Sequence, residues 1–220
     1  MTTTGPLAPF EWLDAPEGEG ELDSIFTIAC IRGLTPAEIA LRFSRGADAG
    51  QTLDFAALNE RSGDFLVSTD GGEGGGHVGI LQVGEWCVVI EPNGWMCTLH
   101  EVLLRLSQGC EVVTATRHDY AEHSFAYAVD GTVVMEYNLF SPYERSGADP
   151  DRLNAHMRDL GMALEEPEDD DGDYEKAVAQ GFALVSEVSG VPLTSGILDR
   201  PMLVTPFVSP LKREVPNDGS

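Results

Sequence analysis

Cys97 and His100 lie three residues apart where an apolar helical pattern begins. That spacing puts a thiol and an imidazole on one helix face, near the helix's positive end, where a thiol can acidify. It is the chain's nearest approach to a nucleophile with a base. The competing reading makes Cys97 a small buried hydrophobe, as for Cys30, Cys87 and Cys110, each in or beside an apolar run. His118, Asp119, Glu122 and His123 form the densest group of potential metal ligands. On a strand, positions 118 and 123 point to opposite faces, so they meet only if residues 119–121 turn. A hydrolytic metal centre takes three placed ligands and an open position, and a polar surface turn is the simpler account. Glu91 ends an apolar run just before Pro92-Asn93-Gly94-Trp95. A carboxylate there must find a partner or water, and Arg32 or Arg145 is the expected bidentate partner. Glu91, Trp95, Arg145 and Asp149 are therefore the candidate binding residues. The alternative makes Trp86 and Trp95 core pillars on either side of a turn.

Other motifs exclude more than they propose. Gly71-Gly72-Glu73-Gly74-Gly75-Gly76 has no Lys-Ser/Thr after it, and its glutamate repels phosphate, so it is no P-loop. No Ser or Cys sits in a G-x-S-x-G elbow. The cysteines form no CxxC pair, which argues against a thiolate zinc site. Glu165, Glu166, Glu168, Asp169, Asp170, Asp171, Asp173 and Glu175 put eight acids into eleven residues. Calcium-loop spacing fails there, since the position for glycine holds Tyr174. The stretch reads as a self-repelling linker or as an acidic patch for a basic partner. No catalytic residue, metal ligand or cofactor is assigned.

The charge balance is lopsided: 37 acidic residues against 13 basic ones, a formal net charge of -24. Such a surface repels nucleic-acid phosphates and anionic lipid, so neither is an expected partner. No apolar run approaches the ~18 residues of a spanning helix. Residues 1–20 have neither a basic nor an apolar signal region, so the expected location is cytoplasmic.

The elements that must position these groups are expected in mixed order. Residues 24–31 read as a strand. Thr35-Pro36-Ala37-Glu38 reads as a capping box opening a helix over 36–44. A short helix is expected over 54–60 and a strand over 65–68. Strands over 77–83 and 86–91 are joined by a tight turn at Gly84-Glu85. A helix over 98–107 precedes strands at 111–116, 124–129 and 132–138, the last two linked by Asp130-Gly131. Helices are expected from about 150 to 161 and over 174–188. The hairpin links predict an α+β fold, with a mostly antiparallel sheet of about six strands and helices packed on one side. Residues 1–22 are expected to be a flexible acidic lead-in, with Phe10, Trp12 and Leu13 able to dock. Residues 23–200 form a single domain, and 201–220 a Pro-rich tail.

Three segments together resemble an uncharacterised family, a domain of unknown function frequent in high-GC Gram-positive bacteria. They are Cys30-Ile31-Arg32-Gly33-Leu34-Thr35-Pro36, the run from Trp86 through Gly94 to Leu106-Ser107-Gln108-Gly109, and Arg145-Ser146-Gly147-Ala148-Asp149-Pro150-Asp151. Ser189-Gly190-Val191-Pro192-Leu193-Thr194 is a fourth match. The resemblance implies a shared fold and a soluble bacterial origin, and carries over no catalytic residue. The function expected is a non-enzymatic acidic module of the immunity or inhibitor kind, whose partner is a protein with a basic patch. The alternative is an enzyme or small-ligand binder with a pocket near Glu91, Trp95 and Arg145.

Overall fold

The computed structural model describes residues 5–16, 19–71, 76–120, 122–167 and 176–207. The first strand, β1 (Phe26–Arg32), buries every residue but its last. Thr35 then opens α1 (Pro36–Phe43) with the expected capping box: its hydroxyl accepts from the Glu38 amide, and the Glu38 carboxylate accepts from the Thr35 amide at 2.8 Å. After β2 (Gln51–Leu53), Asp54 caps α2 (Phe55–Thr69), accepting from the Ala57 amide at 2.9 Å. That cap starts a helix long enough to absorb residues 65–68, where a strand was expected. β3 (His77–Val83) and β4 (Trp86–Pro92) form the expected hairpin. A 3-10 turn at Met96–Thr98 leads into α3 (His100–Leu106). β5 (Glu111–Arg117), β6 (Ser124–Val129) and β7 (Thr132–Asn138) follow as a meander. α4 is brief (Asn154–Asp159), α5 runs over Ala177–Ser189, and β8 is Met202–Pro206.

The strands make one antiparallel sheet in the order β2-β8-β3-β4-β1-β5-β6-β7. Among the described residues the sheet has eight strands rather than about six. β2 is too short to show an alternation. β8 follows Pro201 and ends on Pro206 in a stretch read as tail, yet Met202 and Val204 are buried in the core. Residues 208–220, the remainder of that expected tail, lie outside the described residues.

Helices on one side only gives way to helices on both. Phe26, Ile28 and Cys30 of β1 join one apolar cluster with α2, α4 and α5. Ala29 and Ile31 join a second with α1 and α3. All seven residues of β4 are buried. An antiparallel sheet wetted on one face alternates apolar and polar positions, whereas continuous apolar runs mark strands covered twice. The lead-in docks as its side chains allowed. Ala8–Asp14 forms a 3-10 helix with Phe10 and Leu13 buried, and the Trp12 indole donates to the Leu193 carbonyl at 3.0 Å. Among the described residues, no helix is long and apolar enough to cross a membrane.

Candidate functional site

Glu91 is fully buried at the end of β4. Its partners are backbone amides rather than an arginine. Oε1 accepts from the Met96 N–H at 3.1 Å and Oε2 from the Cys97 N–H at 3.0 Å. The carboxylate thus caps the 3-10 turn at Met96–Thr98. Burial raises its pKa, and the amide and thiol hydrogen bonds from Cys97 and the Met96 amide oppose that rise. Gly94 is required beside it, because a Cβ there would collide with the Glu91 carboxylate. The Gly94 carbonyl accepts from the Thr27 hydroxyl at 2.9 Å, which ties this corner to β1.

The expected pairings with Glu91 do not form. Arg32 is ion-paired with Glu111 and lies over the Trp86 ring, 5.1 Å from its centroid. Arg145 donates to the carbonyls of Pro142 and Leu164 and to Asp151 Oδ1, the last at 3.3 Å. β1, β5 and β6 stand between β4 and β7, the strand before Arg145. At about 4.8 Å per strand, that is roughly 19 Å of sheet. Trp95 is half-buried and meets His118 edge to face at 5.2 Å. Asp149 is exposed, 3.8 Å from Arg152. The structure therefore does not gather Glu91, Trp95, Arg145 and Asp149 into one pocket.

Cys97 and His100 also part company: the thiol is fully buried and the imidazole exposed. Burial, then the Glu91 charge, lifts the Cys97 thiol well above its ordinary value. Burial likewise pushes Cys30 up to about 12 and Cys87 up to about 11, and it raises Cys110. All four are free thiols held away from the reactive thiolate form.

His118 and His123 do converge, because residues 119 and 120 turn. The His118 backbone N–H donates to His123 Nδ1 at 2.9 Å. That nitrogen therefore carries no proton, and the neutral ring keeps its proton on Nε2. Burial, then the charges of Arg117 and His118, lowers the His123 pKa to about 4. The ring packs edge to face on Phe140 at 4.5 Å. Among the described residues, no three His, Cys, Asp or Glu side chains are arranged to hold a metal ion.

Beside His123 opens a groove of about 380 Å³ that the sequence reading did not find. Glu122, Glu136 and Glu144 line it, together with Thr98, Ser146 and His123. Register places Glu136 opposite Ala126 and Asn138 opposite Ser124. A bridge between Glu136 and Ser146 folds the following loop back along β7, and the Ser146 hydroxyl donates to Glu136 Oε1 at 3.4 Å. No lysine or arginine is among the groove's lining residues. One signal was present in the chain: Glu136 is the single charge inside an otherwise apolar strand. Of the acidic stretch, Glu165 and Glu166 are exposed. Glu168, Asp169, Asp170, Asp171 and Asp173 lie outside the described residues, as do positions 72–75 of the Gly-rich loop.

Fold and groove together define an acidic α+β protein built on one antiparallel sheet covered on both faces. The chain belongs to a family of unknown function (DUF6461), whose model matches residues 3–210. No curated protein and no solved structure matches it.

Proposed function

We propose that this chain is a non-enzymatic interaction module of the bacterial cytoplasm, whose partner is a protein with a basic patch. The groove beside His123 accepts a lysine or arginine side chain of that partner. One observation carries the reading: three carboxylates, Glu122, Glu136 and Glu144, line a solvent-open cleft with no lysine or arginine in its lining, and the one imidazole there, His123, is held neutral. In a chain of net charge -24, the surrounding field draws a basic partner toward that cleft and raises its association rate. The four free, buried cysteines suit a reducing compartment. Their raised pKa values give no support to a nucleophilic role.

The test is titration with an oligoarginine peptide, followed by calorimetry as salt rises from about 0.05 to about 0.3 M. Any acidic protein binds such a peptide weakly, so matched variants decide. Glu136→Gln with Glu144→Gln is compared with Glu165→Gln with Glu166→Gln, which removes the same charge elsewhere. The groove pair is expected to weaken binding about tenfold and the control pair hardly at all. Equal losses from the two pairs, or affinity indifferent to salt, reject the groove.

A further inference from the structure

The corner where α1 and α3 both end collects positive charge in a chain that has little of it. The two helices pack on the same sheet face and against each other. Arg42 lies in the last turn of α1 and Arg105 in the last turn of α3. Arg45 follows α1 in a left-handed backbone conformation, φ 52°, with its side chain exposed.

Their bonding differs. Arg42 donates to the Leu106 carbonyl at 2.5 Å and lies 3.6 Å from Cys110 Sγ. It thereby takes up the end of α3, a duty that would otherwise suit Arg105. Arg105 is left without one. Its Nε and Nη2 are out of reach of water and meet no acceptor among the described residues. These two N–H groups point the same way along one edge of the guanidinium, the edge that grips two oxygens of one carboxylate or phosphate. Arg45 likewise has no acceptor there, whereas the other described arginines each have a hydrogen-bond acceptor or, for Arg152, an ion-pair partner. Glu101, one turn earlier on α3, draws the Arg105 charge, while Arg45 repels it.

We propose that Arg42, Arg45 and Arg105 form a site for a single small oxyanion, held on the side-on edge of Arg105 with Arg45 as second donor. Arg105 is only partly buried and forfeits no hydrogen bond on swinging outward, so its long stem can carry the fork to the ligand. The shared chemistry is one carboxylate or phosphate group. The site lies toward the opposite end of α3 from Thr98 and the acidic groove, and stands independently of the function proposed above.

The full chain is titrated with sodium phosphate and, separately, with sodium acetate, at ionic strength held constant by sodium chloride. Binding is followed on the arginine Nε–H signals by NMR, which needs no variant. A saturable shift of the Arg105 signal is expected. Phosphate alone causing it assigns a phosphate ligand; acetate causing it too assigns a carboxylate. Arg105→Lys keeps the charge but loses the fork, and is expected to weaken binding about tenfold. Arg158→Gln removes one positive charge on α4 and leaves binding unchanged. The proposal falls if neither anion shifts the Arg105 signal saturably, or if Arg158→Gln weakens binding as much as Arg105→Lys.

Discussion

At the scale of single residues, two buried groups govern how this chain responds to change. Glu91 satisfies two amides with two oxygens, and glutamine has only one oxygen to offer. Glu91→Gln therefore leaves one buried N–H facing an NH₂ group, at a cost of about 1–3 kcal/mol. Urea unfolding should show a lower midpoint with an unchanged slope, and an unshifted midpoint would refute the capping role. His123 is held neutral, with a folded-state pKa of about 4 against an ordinary 6.5. Between those values the unfolded chain binds the proton and the folded chain does not, so stability falls as pH drops from 6.5 to about 4. His123→Asn keeps an acceptor near the Nδ1 position and cannot titrate. Its stability should depend less steeply on pH across that window than the parent's, as read from urea midpoints at a series of pH values. That Glu91 needed a partner was legible, because a carboxylate ending an apolar strand is conspicuous. The partner was not, because backbone amides are carried by almost every residue and leave no mark in the sequence.

At the scale of elements, legibility follows the range of the interaction. The capping box at Thr35 was readable because all its parts lie within four residues. Thr35→Ala should cost about 1 kcal/mol, within the usual spread of about 0.5–2, by removing the acceptor for the Glu38 amide. Thermal unfolding of that variant against the parent measures it, and an equal midpoint would mean that packing of Ile39, Ala40 and Phe43 sets this helix alone. β8 was unreadable for the converse reason. Its neighbours come from residues 51–53 and 77–80, and nothing local marks five residues that follow one proline and end on another as an inner strand. The convergence of His118 with His123 was legible only as a condition, that residues 119–121 turn. The acidic groove was not legible, since it needs the Glu136–Ser146 bridge to bring Glu144 back to the sheet.

At the scale of the whole molecule, charge acts against compactness. With 37 acidic and 13 basic residues, the folded body repels itself, and that repulsion is screened over about 10 Å at 0.1 M salt. Raising sodium chloride from about 0.05 to about 0.5 M should raise the thermal midpoint. Calorimetry that shows no rise would mean the carboxylates lie too far apart to matter. The same excess was the plainest feature of the sequence, because composition requires no fold to be read.

The placement of β8 sets a timetable for synthesis. Among the described residues β2 has β8 as its sole neighbour in the sheet, and roughly 150 residues separate the two in the chain. At about 5–20 residues per second, a ribosome takes on the order of 8–30 s to cover that distance. Throughout that interval β2 and one side of β3 have no strand to pair with. The nascent chain must carry an open flank until the last strand described has emerged.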